Sequence, residues 1–447
     1  MLIEAGLLNQ IVSGKLIGDE GISFSHYVSD SREAREGSFF VALKGENTDG
    51  HLFCADAQER GAKGALLKEK MSVFPLEIIV ENTLSALIIL GKWVSQKNPT
   101  FTIGVGGSVG KTTTKEMIRE VLSCKYQVSA TPGNMNTEIG IPLYLLNDEE
   151  NPQVRVVEYG AQKIGDLNLL VDIIKPSAAI ITALGPSHTE YFGSLEGVKE
   201  EEGGVLLKSI SETGWVVLNA DDKLVMSLGS SCLKKIITYG YKGRDFRMKK
   251  INSSLEGTEI IASTPEGGVN YFMKDVMGKH MAMNSLGALA IGFLMGIPPL
   301  EGTKALTNFK PIWGRMEKKQ CFGATLLVDY YNSNSLSLKA SLELFSNLEG
   351  KRKILILGEM RELGLLAEEE HRKFAPIIEG LAPQVLITVG ENARLFRSKG
   401  TPGNHFNDSK MAGRWLKENL KPDDLVLIKG SRGVNMEEIL KVLNNGI

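Results

Sequence analysis

Glycine, lysine and threonine residues are concentrated between Thr102 and Thr114, in the order T-I-G-V-G-G-S-V-G-K-T-T-T. The segment is of the G-x-x-x-x-G-K-T type, with one residue fewer between Gly106 and Gly110. Glycines let backbone N–H groups turn towards phosphate oxygens, the lysine reaches the terminal phosphates, and the threonine hydroxyl binds Mg²⁺. We predict ATP binding by Gly107, Ser108, Val109, Gly110, Lys111, Thr112 and Thr113. The alternative is a glycine-rich turn with a chance lysine.

The segments around this loop predict the elements that hold it. Short apolar runs separated by helical stretches are typical of βαβ units around a parallel sheet. Strands of this kind are predicted at 102–105, 154–158, 178–182, 215–218, 325–329, 353–358, 385–389 and 424–428. The range 245–275 alternates apolar and polar residues like a hairpin. Helices are predicted at 84–96, from Thr113, and at 137–145, 284–295 and 338–348.

These patterns predict an α/β protein of three domains, in line with about 150 residues per domain for a 447-residue chain. We place an N-terminal α/β domain at 1–98, a central P-loop domain with a parallel sheet at 99–311, and a C-terminal Rossmann-like domain at 312–447. The breaker Lys97-Asn-Pro-Thr100 marks the first boundary.

Composition excludes several classes of protein. The chain has 51 basic and 53 acidic residues, a net charge of −2, which argues against a broadly polycationic nucleic-acid binder. No stretch approaches the ~18 apolar residues of a membrane span, and the N-terminus lacks the pattern of a secretion signal. Cys54, Cys124, Cys232 and Cys321 are far apart and are interpreted as reduced thiols. We expect a cytoplasmic protein.

A carboxylate ends the strand predicted beside the loop. Glu158 is the last residue of 154–158, and the carboxyl ends of parallel strands carry ligand groups. Mg²⁺ prefers one or two carboxylates together with substrate phosphates. We therefore predict that Glu158 is a metal ligand, and the alternative is a solvated carboxylate at a strand end.

Further motifs occur in a fixed order along the chain. They are D-S-R at 30–32, G-S-F-F-V-A-L-K-G at 37–45, D-G-H at 49–51, G-N-M-N-T-E-I-G-I-P at 133–142, V-E-Y-G-A at 157–161, I-T-A-L-G-P-S-H at 181–188, G-S-L-E-G-V at 193–198, G-R-M-E at 314–317, Y-N-S-N at 331–334, L-G-E-M-R-E-L-G at 357–364 and K-G-S-R at 429–432. Together with the phosphate-binding loop, this order resembles the Mur ligases from about residue 25 to residue 440. Within that family it is most similar to the ligases that add D-alanyl-D-alanine.

The resemblance implies an ATP-dependent amide ligation. In this family a carboxylate attacks the γ-phosphate to give an acyl phosphate and ADP, and an amine then displaces phosphate. The implied substrates are a UDP-N-acetylmuramoyl-tripeptide and D-alanyl-D-alanine, the implied cofactors are ATP and Mg²⁺, and the implied process is peptidoglycan precursor synthesis. Nucleic acid is not an implied partner, and we expect a monomer.

The resemblance also implies roles for single residues. His188 would contact a second Mg²⁺, although a lone histidine is more often structural, and Arg315 would contact ATP phosphates from across a hinge. Catalysis would then depend on Lys111, Glu158, His188 and Arg315. The implied contacts to the nucleoside are His280, Asn284 and Asp329.

Candidate substrate residues come from the same motifs. They are Ser31, Arg32, Lys44 and Asp49 for the UDP-linked substrate, Asn134, Asn136 and Thr137 for its carboxyl group or the γ-phosphate, and Asn332, Asn334, Lys429 and Arg432 for the acyl phosphate or dipeptide. Helix capping is the alternative for the 134–137 group. A loop or helix-cap pair is the alternative for the two later asparagines, and a solvated basic loop for Lys429 and Arg432.

Several positions depart from the family pattern. A lysine that becomes carbamylated and braces a metal in the family is replaced here by Glu202, and Gly204 replaces a glutamate. Glu202 is predicted to supply the same negative charge to the metal; the alternative is a weakened second metal site or a changed substrate. Met281, Val328 and Ser335 replace the usual asparagine, aspartate and proline.

Two other functions stay open at this point. These departures are compatible with a sibling amide ligase that uses a different carboxylate or amine. A non-catalytic nucleotide-binding homologue is the other alternative, and the intact Lys111, Glu158 and His188 argue against it.

Overall fold

A computed structural model of the chain describes residues 1–45, 48–148, 151–230, 234–398 and 400–444. The described residues form three large sheets, one in each predicted domain range. The α/β fold class is therefore confirmed, and the domain boundaries at 98/99 and 311/312 stay a proposal.

The N-terminal range contains a five-stranded sheet. Its strands lie in the spatial order Lys15–Ile17, Leu76–Ile79, Gly64–Leu67, Phe39–Val41 and Tyr27–Val28. The first pair is antiparallel and the others are parallel. The strands Ile3–Glu4 and Ser23–Phe24 pair separately. The helices are Ala5–Val12, Cys54–Glu59 and Thr83–Lys97, with 3₁₀ turns at Ser31–Glu33 and Gly50–Phe53.

The N-terminal range is joined to the central range by close packing. Gly91 lies where the helix Thr83–Lys97 meets Pro142, and a Cβ at position 91 would come within 2.7 Å of the Pro142 Cβ. The Asn147 side chain accepts a hydrogen bond from the Tyr27 N–H and donates one to the Tyr27 carbonyl, both at 2.8 Å. The two regions share one apolar core.

The central range contains a nine-stranded sheet, whose strands lie in the spatial order Gly267–Lys274, Gly257–Thr264, Phe246–Ser254, Lys235–Gly240, Trp215–Asn219, Ala178–Ile181, Phe101–Gly106, Val154–Glu158 and Val128–Ala130. Pairing is parallel except among the first three, which form an antiparallel meander. Its helices are Lys111–Leu122, Gly140–Asn147, Asp166–Ile173, Thr189–Phe192, Leu195–Lys199, Val205–Ser209, Lys223–Gly229, Lys279–Leu294 and Pro299–Thr307, with a π-helical turn at Glu200–Gly204.

The C-terminal range contains a six-stranded sheet in the spatial order Glu317–Cys321, Ala324–Asp329, Asp424–Lys429, Arg352–Gly358, Val385–Val389 and His405–Phe406. Only the first pair is antiparallel. The helices are Ser335–Asn347, Ala367–Arg372, Ala375–Leu381, Ser409–Asn419 and Glu438–Asn444, and 3₁₀ turns lie at Gly364–Leu366, Asn392–Phe396 and Arg432–Val434.

The predicted strands of the central and C-terminal ranges are confirmed to within one residue at each end, and the hairpin-like range is the antiparallel meander. Helix starts are less accurate. The helix predicted from Thr113 begins at Lys111, the one predicted from 284 begins at Lys279, and the one predicted from 338 begins at Ser335. The predicted helix 137–145 begins three residues later, at Gly140.

Two predictions from the sequence concern membrane-spanning segments and the state of the cysteines. Within the described ranges, no helix combines the length and apolar content that a membrane crossing requires. Cys54, Cys124 and Cys321 are free thiols, and burial raises the pKa of Cys54 to about 11. Cys232 lies outside the described residues.

Candidate active site

A cleft of about 1530 Å³ lies between the central and C-terminal sheets. The carboxyl ends of parallel strands from both sheets open into it, at the edge where α/β sheets bind ligands. It is lined by the phosphate-binding loop and Glu158 on one side and by Arg315, Asp329 and Arg432 on the other. Most of the predicted site residues are thus brought to one place.

The phosphate-binding loop connects the strand Phe101–Gly106 to the helix Lys111–Leu122. Gly107 and Gly110 have φ values of 121° and 83°, which glycine adopts without strain. Backbone bonds fix the loop: the Ser108 N–H donates to the Ala183 carbonyl at 2.7 Å, and the Val109 carbonyl accepts from the Thr182 hydroxyl at 2.6 Å. The buried Thr113 packs in the first turn of the helix.

Lys111 and Thr112 lie at the start of that helix, where the helix dipole favours anions. The Lys111 ammonium donates to the Gly107 carbonyl and lies 3.6 Å from Oε1 of Glu202. The Thr112 hydroxyl accepts a hydrogen bond from Nη2 of Arg315 at 2.9 Å. The C-terminal range therefore contacts the loop directly.

Glu158 is 3% exposed and faces two partners. Its Oε1 accepts from Nδ2 of Asn136 at 2.9 Å, and its Oε2 lies 3.9 Å from the Lys115 ammonium. Oε2 is buried and has no hydrogen-bond partner among the described residues. The solvated-carboxylate alternative does not fit a side chain this buried.

Lys115 is the main residue that the sequence analysis missed. Its side chain is fully buried, and its ammonium donates to the carbonyls of Thr131 and Gly133. It thereby ties the helix of the phosphate-binding loop to the segment that carries Asn134 and Asn136. Its position, four residues after Lys111 and hence on the same helix face, was the available signal.

Asn134, Asn136 and Thr137 all line the cleft. Thr137 also accepts a hydrogen bond from the Gly140 N–H at 3.2 Å, at the start of the next helix. The Thr137 hydroxyl therefore contacts the start of this helix, although Ile139 is its N-cap residue, whereas Asn136 is directed at Glu158.

His188 lies in the cleft wall with φ of 48°, an unusual left-handed backbone for histidine. Its Nδ1 lies 2.8 Å from Oε2 of Glu362, and the nearby imidazole lowers the pKa of that carboxyl. Glu362 was also missed, although it belongs to the motif at 357–364. With Nδ1 at Glu362, Nε2 is the nitrogen left for a ligand.

Glu202 is 3% exposed and lies against the phosphate-binding loop. Its Oε2 accepts from the hydroxyls of Ser108 and Ser187, and its backbone carbonyl accepts from the Gly107 N–H at 2.9 Å. Over the described part of the chain, no three His, Cys, Asp or Glu side chains gather as a ready-made metal site. The predicted ligand set Thr112, Glu158, His188 and Glu202 is therefore not preassembled.

Arg315 and Arg432 converge on one aromatic ring. The Arg315 guanidinium lies 4.3 Å and the Arg432 guanidinium 5.5 Å from the centre of the Tyr331 ring. Both distances are within the range of cation–π attraction. Tyr331 was not among the predicted site residues, although its motif was recognised.

Asp329 and Lys429 end neighbouring parallel strands and form an ion pair in which the lysine is buried and the aspartate is largely buried. The Lys429 ammonium donates to Oδ2 of Asp329 at 2.6 Å, and the lysine side chain is 1% exposed. Burial by itself raises the pKa of Asp329, but Lys429 and the Ser341 hydroxyl outweigh it, and the pKa is lowered. The solvated-loop alternative is wrong for Lys429, whose ammonium is occupied by Asp329. Arg432 is exposed.

The two C-terminal asparagines differ in their surroundings. Asn334 caps the helix Ser335–Asn347, accepting from the Ser337 N–H at 2.9 Å in a reciprocal capping box. Asn332 is exposed, and its side chain accepts from the Ser333 N–H at 2.8 Å. Both line the cleft, so the capping alternative is observed for Asn334 without removing it from the site.

His280 and Asn284 lie on the helix that faces the loop. Nδ1 of His280 is buried and has no partner among the described residues, and burial lowers the pKa of this histidine. Asn284 packs on Gly110, where a Cβ would lie 2.9 Å from its Oδ1. Asn284 therefore needs glycine at that position of the loop.

The four N-terminal candidates do not line this cleft. Ser31 is buried beside Asp30, whose carboxylate pairs with the exposed Arg32 at 2.5 Å. Asp49 accepts a hydrogen bond from Nδ1 of His51 at 2.6 Å. The backbones of Lys44 and Asp49 pair in an isolated antiparallel β-bridge. Their role in binding a UDP-linked substrate stays a prediction.

Comparisons with known proteins agree with this geometry. Residues 105–292 match the Mur ligase middle domain, and residues 314–432 match the Mur ligase glutamate ligase domain. The chain is 36% identical to a UDP-N-acetylmuramoyl-tripeptide--D-alanyl-D-alanine ligase of Bacillus subtilis over 93% of this chain and 92% of that protein. It is 31% identical to the Escherichia coli protein of the same name, over 98% and 97%.

Solved structures give the same result. MurF from Acinetobacter baumannii superposes with a TM-score of 0.89 at 25% identity, covering 100% of this chain and 99% of that one. MurF ligase from Thermotoga maritima in complex with ADP superposes with a TM-score of 0.82 at 27% identity, covering 94% and 97%.

Proposed function

The chain belongs to the Mur ligase family, and from that premise we propose that it joins D-alanyl-D-alanine to a UDP-N-acetylmuramoyl-tripeptide in peptidoglycan synthesis. It is an ATP-dependent ligase. One observation carries the proposal. The phosphate-binding loop and Glu158 lie on one side of the cleft, and Arg315 and Arg432 lie on the opposite side. Such a site brings together a triphosphate, a carboxylate and an amine.

The reaction proceeds in two displacements. The substrate carboxylate oxygen bonds to the γ-phosphorus, the bond to the β,γ-bridging oxygen breaks, and ADP leaves. The dipeptide amine then bonds to the acyl carbon, the bond from that carbon to the phosphate-bearing oxygen breaks, and the amine loses a proton to solvent. Both steps demand positioning and neutralisation of anions.

Residues of this chain can position the substrates and neutralise their negative charges. Lys111 and the N–H groups at the helix start neutralise the β- and γ-phosphates, and Arg315 adds a guanidinium from the other side of the cleft. Lys115 fixes the segment of Asn134 and Asn136, so that these side chains orient the attacking carboxylate. Arg432 offers a bidentate contact to the dipeptide carboxylate.

Mg²⁺ fits the donors on the loop side of the cleft. The Oε2 of Glu158 is buried without a hydrogen-bond partner among the described residues. Thr112 lies in the first turn of the helix Lys111–Leu122 and lines the same cleft. One carboxylate, one hydroxyl and substrate phosphates are a suitable set for this ion. Glu158 and Thr112 would hold it, with His188 as the ligand of a second ion, and it would neutralise charge on the phosphates.

A phosphate-release assay tests the proposal. Purified protein with ATP and Mg²⁺ is crossed with UDP-muramoyl-peptides, single amino acids and D,D-dipeptides, and mass spectrometry identifies the product. We expect phosphate and an amide product only when a UDP-tripeptide and D-alanyl-D-alanine are both present, and neither with Lys111→Met.

Two outcomes would contradict the proposal. Turnover with an amino acid but not the dipeptide would identify a sibling ligase. The sequence evidence for this alternative is the set of departures Glu202, Gly204, Val328 and Ser335. ATP binding without turnover on any pair would identify a non-catalytic homologue. The cytoplasmic location and the monomeric state stay predictions, which cell fractionation and light scattering test.

A further inference from the structure

We propose that Glu202 is a positioning residue that holds the phosphate-binding loop through Ser108 and Lys111, and that it acts on nucleotide binding without a metal. The inference rests on the proposed ATP-binding function. It differs from the metal-ligand role predicted from the sequence, because all described contacts of the carboxylate are to the loop and to Ser187.

The backbone conformation around Glu202 supports this role. Residues Glu200–Gly204 form a π-helical turn, in which the Val205 N–H donates to the Glu200 carbonyl. Such turns are rare and occur frequently at functional sites. Here the turn presents the Glu202 carbonyl to the Gly107 N–H at 2.9 Å. A Cβ at Gly106 would come within 2.9 Å of the same carbonyl oxygen, so strand and turn are in direct contact.

The side chain of Glu202 adds a second attachment. The Gly185 N–H donates to the Ser108 hydroxyl at 3.1 Å, and that hydroxyl donates to Oε2 of Glu202. Ser187 donates to the same oxygen at 2.7 Å. The serine of the loop is thus held from both sides, and a buried carboxylate accepts stronger hydrogen bonds than a neutral group.

The remaining carboxylate oxygen acts on Lys111. Oε1 is buried, has no hydrogen-bond partner among the described residues, and lies 3.6 Å from the Lys111 ammonium. The Lys111 side chain is only 14% exposed, so this attraction is weakly screened. Glu202 therefore keeps the ammonium at the loop, ready for the phosphates.

The adjacent Glu201 provides a matched control. It lies on the same turn and is 5% exposed, but its Oε1 accepts from the Gly165 N–H at 3.1 Å. Glu201→Gln thus perturbs a buried glutamate of the same turn without touching the loop. We expect its ADP affinity to match that of the wild type within about twofold, because its hydrogen bond is to Gly165 and not to the phosphate-binding loop.

The test is calorimetric ADP binding in excess EDTA, which removes any metal. Glu202→Ala should weaken binding at least about tenfold, because hydrogen bonds to a charged acceptor carry that much free energy. Ser108→Ala should weaken it too, and the double variant should bind no more weakly than Glu202→Ala alone, since both remove one shared interaction. Glu202→Gln keeps an acceptor for the serines and should show an intermediate loss.

Three results would overturn the inference. Unchanged metal-free ADP affinity in Glu202→Ala, with a raised Mg²⁺ requirement, would make Glu202 a metal ligand. Additive effects of Ser108→Ala and Glu202→Ala would show that the two do not act together. If Glu202→Ala does not fold by circular dichroism, Glu202→Gln and Ser108→Ala decide, and wild-type affinity in both would overturn it.

The same experiment separates this inference from the proposed function. A wild-type protein that binds no ADP with or without Mg²⁺ would refute the ATP-binding function itself. Wild-type binding that Glu202 variants leave unchanged would refute only the role of Glu202. In turnover assays, a positioning role should raise the KM for ATP more than it lowers kcat.

Discussion

Replacing Lys429 with methionine separates a structural role of this lysine from a substrate-binding role. The ammonium lies 2.6 Å from Oδ2 of Asp329, and the two residues end paired parallel strands in direct register. Methionine keeps most of the length of the side chain and removes the charge. Asp329 would then be left as a buried carboxylate with Ser341 as its main partner.

The expected loss is large because the lysine is buried and the aspartate is 15% exposed. Removing one partner of a buried ion pair costs about 3–5 kcal/mol of unfolding free energy. Lys351→Met is the matched control: its ion pair with Asp423, at 2.5 Å, is in the same region, but the two side chains are 78% and 58% exposed. An exposed pair contributes only about 0–1 kcal/mol.

The pH dependence follows from the lowered pKa of Asp329. A carboxyl whose folded pKa lies below its ordinary value of 3.8 adds stability above that value and loses it as the pH falls through the folded pKa. The difference between wild type and Lys429→Met should therefore be full at neutral pH and shrink in acid. In the variant, Ser341 and His280 still lower the pKa of Asp329, but without Lys429 the effect of burial is larger, and the pKa should rise.

Hydrogen exchange measures this loss locally, which matters because a multidomain chain need not unfold in one step. Amides of the strands Ala324–Asp329 and Asp424–Lys429 should lose protection in Lys429→Met and not in Lys351→Met. Adding Asp329→Asn should restore part of it, since no unpaired charge remains. The reasoning is refuted if both lysine variants lose the same protection or if the double variant is the least stable.

Three further predictions concern the cleft. Glu158→Gln should raise the Mg²⁺ concentration needed for half-maximal ADP binding on the order of tenfold or more while leaving metal-free binding intact, and a titration showing no shift would exclude it as a ligand. Asn334→Ala should cost about 1 kcal/mol in thermal unfolding through its helix cap, and Asn332→Ala should cost less; equal costs would contradict the capping role. Arg315→Lys keeps the charge but loses the planar contact with Tyr331, so kcat/KM for ATP should fall roughly tenfold, and wild-type kinetics would refute that contact.

The sequence predicts the sheets well because the signal for each strand is local. Buried runs such as Val154–Glu158 and Val385–Val389 are bounded by polar or glycine residues, and their ends match the structure. Helix starts are predicted less well. The first turns at Lys111, Lys279 and Ser335 present polar residues to the cleft, and the sequence pattern therefore places the helix starts two to five residues too late.

Partners across the fold could not be predicted from the sequence. Ser108 and Glu202 are 94 residues apart, and Asp329 and Lys429 are 100 apart. Each residue was recognised as a candidate, but its contacts depend on which strands become neighbours. The sequence pattern therefore predicts a substrate contact for Lys429, although the parallel register brings it to Asp329.

The contact between Arg315 and Thr112 occupies the hydroxyl that is proposed to bind Mg²⁺. The Thr112 hydroxyl now accepts from Nη2 of Arg315, and the same oxygen is the predicted Mg²⁺ donor. A hydroxyl oxygen has two lone pairs, but a guanidinium and a divalent cation on one oxygen repel each other. If Thr112 holds Mg²⁺ as proposed, Arg315 would have to leave this hydroxyl when the nucleotide binds. The buried Nε of Arg315 has no hydrogen-bond partner among the described residues. The Arg315 guanidinium lies over the Tyr331 ring, which keeps it at the cleft. The side chain can thus turn from the hydroxyl to the γ-phosphate, which would make closure of the C-terminal range onto the loop depend on the nucleotide.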